Sequence, residues 1–363
     1  MADALPSIIV TGISGNLGQR LLPMLSGFRV VGVDFRPPQT DSALQFVKMD
    51  LSLESSCLEM IHLLREIRPV AVVHLAFVMD AVRTGILDRD RMWQVNVAGT
   101  ARVMEAVTEA NREWPMVEKF IFMSSVSAYG PGLSTPAQEE TPLAAHTYIY
   151  GIHKMEADQV VQQRAPALRG CSVYVLRPHI FAGASIDNYF MEAFRGIPGG
   201  ASKRAAKMRK QGKRLPCMLP SGNKYLQNRI QFVHVDDVAR LVAFILNKSE
   251  PEGRRLTILN VAGRGGAMTY EQCVRLANAK LVQVPTEKLF ALVLRLLWSM
   301  KLSTIPPDVA LYMTSDTIMD TSRLEEFLGS EYGTVIRFPV ADAFAECFRQ
   351  EGARVQAAPV GKA

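Results

Sequence analysis

Over its first 180 residues the chain alternates short β-branched runs with longer amphipathic segments, and few folds besides a parallel sheet of βαβ units accept that rhythm. Strands are expected near residues 7–11, 29–34, 44–49, 70–75, 117–124 and 171–177, with helices near 16–26, 53–67, 88–111 and 147–168. Pro23 falls inside the first helix and should bend it or cost it a hydrogen bond. After Pro178 the regularity fades. Residues 196–200 and 216–222 are turn-rich and bracket a basic stretch, which reads as a lobe or a mobile loop. A strand and helix pair is expected across 232–246 and a strand across 256–261. A Thr269/Gln272 capping box should then open a helix reaching about Ala279. Residues beyond Gly352 read as a frayed tail.

The 363 residues are 48% hydrophobic, enough to fill a sizeable core. Cys57, Cys171, Cys217, Cys273 and Cys347 show no short spacing, so neither a zinc ligand set nor a disulfide framework is suggested, no metal is expected, and a reducing cytoplasm fits. The first apolar run is too short for a signal peptide or an anchor. Net charge is +6, but it is unevenly placed: Lys203, Arg204, Lys207, Arg209, Lys210, Lys213 and Arg214 stand together without an acid. Without those seven, the 41 basic residues fall one short of the 35 acidic ones. Global basicity therefore argues little for nucleic acid, and no helix-turn-helix, zinc or RNA-binding signature accompanies it.

The turn after the first strand reads Thr11-Gly12-Ile13-Ser14-Gly15-Asn16-Leu17-Gly18, three glycines each three apart. This spacing suits a dinucleotide: Gly12 makes the tight turn, Gly15 lets backbone approach a pyrophosphate, and Gly18 lets helix and strand pack closely. Asp34 ends the second strand, where its carboxylate can accept from both adenosine-ribose hydroxyls and would repel a 2′-phosphate. NAD is therefore expected over NADP, although Arg36 two residues on could soften the preference.

Tyr150 and Lys154 are four apart and so share one helix face. A neighbouring ammonium and a nicotinamide charge would favour the phenolate, bringing a group of ordinary pKa near 10 toward service as a general base. Ser125 follows the apolar run Phe120-Ile121-Phe122-Met123 at a strand's carboxyl end, where parallel sheets present ligand sites, and could donate to a substrate oxygen.

Together these residues resemble the extended short-chain dehydrogenase/reductase superfamily, in particular its NAD-dependent epimerase/dehydratase group, over roughly residues 6–262. Further matching motifs are Asp50-Leu51, His74-Leu75-Ala76, Asn96-Val97-Ala98-Gly99-Thr100 and Ser124-Ser125-Val126-Ser127-Ala128-Tyr129-Gly130. Leu176-Arg177-Pro178 and Phe232-Val233-His234-Val235-Asp236-Asp237-Val238-Ala239 also match. The resemblance implies an α/β fold, a doubly wound parallel (Rossmann) sheet with a smaller C-terminal substrate lobe. It implies an NAD-binding domain over 1–178 with a return at about 230–262, a mainly substrate-binding lobe over 179–352, and a tail over 353–363. Ser125, Tyr150 and Lys154 are then the catalytic triad. Cofactor contacts fall to Gly12, Gly15, Asn16, Leu17, Gly18, Asp34, Asp50, Leu51, Leu75, Ala76, Asn96, Tyr150, Lys154 and Pro178. A homodimer through helices 88–111 and 147–168 is implied as well.

Departures from the family's pattern narrow the chemistry. Sugar-nucleotide dehydratases and decarboxylases carry acids just after the position of Ser125, where this chain has Val126 and Ser127, so those activities are disfavoured. Family epimerases place an asparagine at the position of Ile180 and commonly an arginine at that of Ile230, both for a nucleotide diphosphate. Arg229, one residue away, is the nearest replacement, and the basic stretch could act as a lid that supplies the charge.

Segment 288–300, from Lys288 to Met300, sets eight large apolar residues around a narrow polar strip of Lys288, Arg295 and Ser299. It is too short to span a bilayer. It reads as a helix over the substrate pocket or against a partner subunit, or as an interfacial membrane helix acting with the basic stretch. Three functions stay open: hydride transfer at a secondary alcohol of a sugar-nucleotide or of a 3-hydroxysteroid or other lipid-like alcohol, non-catalytic NAD(H) sensing, and membrane-peripheral scaffolding.

Overall fold

Apolar runs and strands coincide in the computed structural model, which describes residues 5–38, 44–79, 88–113, 116–249 and 256–356. The main sheet comprises β1 (Ser7–Thr11), β2 (Arg29–Asp34), β3 (Gln45–Lys48), β4 (Ala71–His74), β5 (Lys119–Met123), β6 (Ser172–Pro178) and β7 (Leu256–Val261). Every pairing is parallel, in the order β7-β6-β5-β4-β1-β2-β3, so the winding reverses between β1 and β4. Strands β4, β5 and β6 are buried along their whole length, the reason they read as continuous apolar runs.

Side-chain alternation divides the sheet's residues between two cores. Ile8, Val10, Val73, Ile121 and Leu176 face one layer, built by α1 (Asn16–Leu21) and by α6 (Val235–Asn247). Ile9, Val72, Phe120, Phe122 and Val175 face the other, built by α2 (Ser56–Ile67), α3 (Gly99–Glu113) and α4 (Ile149–Arg164). Pro23 acts as expected: α1 stops at Leu21 and a 3₁₀ turn over Leu22–Met24 follows. The stretch expected as one helix over 88–111 is broken by a π-turn at Gln94–Ala98, which sets Asn96 facing inward. The buried Lys119 ammonium caps the end of α6, donating to the carbonyls of Ile245 (2.9 Å), Leu246 (3.0 Å) and Lys248.

The smaller lobe is assembled from short pieces. Ile180–Ala182 pairs with Phe232–His234, Cys217–Pro220 with Leu281–Val284, and Arg229–Ile230 with Met268–Thr269. The basic stretch is not a loop. Residues Lys203–Lys210 form helix α5, started by Ser202, whose hydroxyl accepts from the Ala205 amide at 3.1 Å. Helix α7 (Glu287–Ser299) follows, and Thr269 and Gln272 form the expected capping box. The last helix, α8 (Val340–Gln356), continues past Gly352, so 353–356 are helical; 357–363 lie outside the described residues. Phe344 on α8 packs on Phe232 and Phe194 at ring-centroid distances of 4.7 and 5.3 Å. No helix among the described residues is long and apolar enough to cross a membrane.

Candidate active site

At the point where the sheet reverses, Gly12 has φ +72°, and a Cβ there would stand 2.5 Å from the Ala76 amide nitrogen. On Gly18 it would stand 2.5 Å from the Ile13 carbonyl oxygen. A side chain at Gly12 would push the turn off the end of β4, and one at Gly18 would push α1 off the turn. Gly15 and Asn16 lie exposed on the turn, and Leu17 is buried beneath it. Asp34, at the end of β2, accepts from the amides of Ser14 (3.0 Å) and Arg36 (3.3 Å), so its carboxylate is fixed against the turn. Asn16 and Arg20 both reach Ser185, and Arg20 pairs with Asp236 at 2.5 Å, tying α1 to α6.

Of the remaining predicted cofactor residues, Asp50 and Leu51 follow β3, Leu75 and Ala76 follow β4, Asn96 lies in the π-turn and Pro178 ends β6. Asp50 accepts from the Ser52 amide at 2.9 Å and faces Arg91 at 3.4 Å. Leu51 is buried, and its carbonyl accepts from Arg102 at 3.0 Å. Leu75 and Ala76 continue β4 beside Thr11, whose hydroxyl meets the buried His74 at 2.7 Å. Burial holds His74 down to about 3, with Lys154 adding to the effect, so this ring is a neutral bridge between Thr11 and Thr100. Asn96 is fully buried, exchanges hydrogen bonds with the Val78 backbone at 2.7 and 3.0 Å, and meets His153 at 3.3 Å. It braces the loop after β4. Pro178 ends β6, and the following His179 amide donates to Val261 at 2.8 Å.

Ser125 opens a 3₁₀ turn at the end of β5, and its hydroxyl accepts from the Ser127 amide at 3.1 Å. Tyr150 lies in the first turn of α4 within hydrogen-bonding reach of Ser125. The close approach depends on Gly151, where a Cβ would lie 2.8 Å from the Tyr312 hydroxyl and 2.9 Å from the Ser127 carbonyl oxygen. Lys154, one turn on, is buried and donates to the Met123 carbonyl at 2.5 Å. Ser125 and Tyr150 thus approach each other, with Lys154 one helix turn on and tied to the end of β5.

Electrostatics in the free protein differ from expectation. Exclusion of water pushes the Tyr150 phenol up to about 12, and the Ser125 hydrogen bond only partly offsets this. Lys154 does not depress it: the ammonium stands 3.4 Å from the Phe77 ring centroid and 5.8 Å from that of Tyr150. Phe77 meets Tyr150 edge-on at 5.6 Å. Burial also holds Lys154 well below the usual lysine range, with Asp158 pulling the other way.

Behind Ser125 lies a buried ion pair. Arg177 donates to both oxygens of Asp158 at 2.8 and 3.0 Å, Ser124 donates to Asp158 at 2.5 Å, and Arg177 also meets the Tyr129 hydroxyl at 2.8 Å. Tyr129 donates in turn to Asn260 on β7 at 2.7 Å. The predicted set omitted this network, along with Phe77 and Gly151; a charged residue inside the apolar strand β6 was the available signal.

On the lobe side, Tyr148 joins Tyr150 at 5.6 Å, Tyr312 at 6.0 Å and Tyr189 at 6.3 Å. A cavity follows, lined mainly by Met218, Leu294, Leu297, Ile305 and Met313, with the Glu192 carboxylate at its wall. Ser303 and Thr304 donate to Glu192, the Thr304 amide at 3.2 Å. Leu294 and Leu297 of helix α7 line this cavity. Arg229, the nearest replacement for a diphosphate-binding arginine, is paired with Asp316 at 2.8 Å, and Ile230 is fully buried in the core.

The family model of the NAD dependent epimerase/dehydratase family matches residues 8–262. UDP-glucose 4-epimerase of Erwinia amylovora is 29% identical over 205 residues, covering 53% of this chain and 58% of that protein. The chain spans about half the length of the curated relatives it matches, from 51% to 58%. Among solved structures, the UDP-Glc/GlcNAc 4-epimerase of Campylobacter jejuni superposes with TM-score 0.66 at 18% identity, covering 96% of this chain and 99% of that one. The dTDP-glucose 4,6-dehydratase of Bacillus anthracis in complex with NAD gives 0.64 at 16% identity, covering 97% and 98%. At these identities the structural likeness speaks for the fold.

Proposed function

The chain belongs to the NAD dependent epimerase/dehydratase family, and on that premise we propose that it transfers a hydride at a secondary alcohol, as an NAD-dependent epimerase or dehydrogenase. The observation that carries this reading is the approach of Ser125 and Tyr150, with Lys154 one turn on along α4, together with a glycine turn that admits no Cβ at Gly12 or Gly18. The glycine turn fits a dinucleotide: Gly12 and Gly18 admit no side chain, Gly15 is exposed, and Asp34 at the end of β2 has oxygens able to accept from ribose hydroxyls. NAD, when bound, supplies the hydride acceptor.

Tyr150 as phenolate takes the substrate's hydroxyl proton, and Ser125 donates to that oxygen as it becomes a carbonyl. Lys154 would hold the nicotinamide ribose, and the positive charge that a phenol raised to about 12 requires would come with the nicotinamide, since Lys154 does not depress Tyr150 in the free protein. A non-catalytic sensor would have no use for a serine, tyrosine and lysine so placed. No carboxylate follows Ser125, Val126 and Ser127 standing there, which favours epimerase or dehydrogenase over dehydratase.

The substrate reading that the lobe favours is an apolar alcohol. Arg229 is engaged by Asp316, Ile180 offers no hydrogen bond, and the cavity behind Tyr148 is lined largely by Leu, Ile and Met. Mass spectrometry of ligands retained on the purified protein, followed by turnover assays with NAD on UDP-glucose and on a 3-hydroxysteroid, tests both parts. Retained NAD with turnover of the steroid alone supports the apolar reading; turnover of UDP-glucose overturns it. Absence of NAD binding overturns the whole proposal. We place a dimer contact on α3 and α4, to be checked by light scattering against the 40.1 kDa monomer mass.

A further inference from the structure

Helix α7 turns only part of its apolar surface inward. Phe290 and Leu294 are buried, whereas Leu289, Leu292 and Leu296 are 40%, 58% and 54% exposed. Spacings of three and four put these leucines on one stripe, flanked by the exposed Lys288 and Arg295. At the helix end, Trp298 and Met300 are 46% and 38% exposed. A contiguous apolar surface of this kind marks a contact.

The basic helix begins where α7 ends. The Gly200 amide donates to Leu302 at 3.2 Å and the Ser202 amide to Lys301 at 3.1 Å. Arg209 donates back to the Gly200 carbonyl at 3.0 Å and to that of Pro198, fixing α5 in place. All seven basic residues from 203 to 214 are exposed, with no acid among them. An apolar stripe beside a surface of one sign complements a bilayer, which is anionic at its rim and apolar beneath. A second copy is a poorer occupant, since a two-fold contact through this face would bring the two basic clusters together.

We propose that α7 and α5 form a docking surface for anionic phospholipid, with Leu289, Leu292 and Leu296 at the acyl boundary and the α5 lysines on the phosphates. The proposal does not depend on the catalytic reading, because its test uses neither cofactor nor substrate. The full chain is floated with phosphatidylcholine vesicles containing phosphatidylserine and, separately, with phosphatidylcholine alone. It is expected to float with the anionic vesicles only, with Trp298 emission shifting to the blue, a change absent in Trp298→Phe. Changing Lys203, Lys207 and Lys210 together to Gln should weaken partitioning by about 10²-fold. Leu292→Gln with Leu296→Gln should weaken it at low and high salt alike. These side chains are exposed, so an unchanged unfolding midpoint keeps the comparison sound. Failure to bind anionic vesicles, equal binding to neutral ones, or an unaffected lysine variant would overturn the proposal. So would a dimer in light scattering that Leu292→Gln dissociates, which would give the face to a second copy.

Discussion

The main sheet and the smaller lobe contribute to the site in opposite ways. In the sheet, parallel strands of four to seven residues fix the glycine turn through backbone register, and that turn tolerates no Cβ at two positions. In the lobe, paired strands run from two to four residues, and the cavity wall is collected from segments between Glu192 and Met313. Geometry held by register suits a group that never changes. A wall of separate side chains can be refitted to another substrate without moving the catalytic residues.

The largest effect should come from the sheet's interior. Arg177→Met leaves the Asp158 carboxylate buried without its partner and should cost about 3–5 kcal/mol in urea unfolding. A loss under about 1 kcal/mol would mean that the pair adds nothing the packing lacks. Next, Tyr150→Phe should lower turnover by at least about 10²-fold while sparing NAD affinity. The same phenol has a pH signature. Its ionisation is disfavoured in the folded state, so native stability from this group is full below pH 10 and is lost as pH rises through about 12. Tyrosinate absorbance lost in Tyr150→Phe should therefore appear only near that upper value, and at lower pH once NAD⁺ is added.

Leu297→Ala in the cavity wall should raise the KM for the true substrate by about tenfold or more and leave NAD affinity alone. Weaker NAD binding in that variant would break the division between the two regions. Asp34→Ala should reduce the preference for NAD⁺ over NADP⁺ by about tenfold, close to 1.4 kcal/mol, in paired titrations. The smallest effect belongs to Gly266→Ala. No atom lies within 4 Å of the added Cβ, and the unfolding midpoint should correspond to a change within about 0.5 kcal/mol.

The same contrast accounts for what could be read in advance. Strand positions, the glycine turn, Asp34 at a strand end and the pairing of Tyr150 with Lys154 on one helix face follow local spacing, and local spacing survives without coordinates. Helix α5 is hidden in the sequence because Gly and Pro flank it and its charges suggest a solvated loop; the Ser202 cap is its one local signal. Arg229 looked available only because Asp316 is 87 residues distant. The upward shift of Tyr150 was hidden for a similar reason: Phe77, which stands against Lys154, comes from another strand's loop. Pairings across the lobe leave no periodicity behind them.

The clasp between Arg20 and Asp236 bears on how the chain is made. Its two residues are 216 positions apart, and α1 rests on α6, an element translated long after the glycine turn. At about 5–20 residues per second, the turn waits on the order of 10 to 40 s at the ribosome for the helix that completes its layer. During that interval Leu17 and Leu21 lack the cover of α6, and a nascent chain stalled before residue 235 should be a better chaperone client than one released after residue 261.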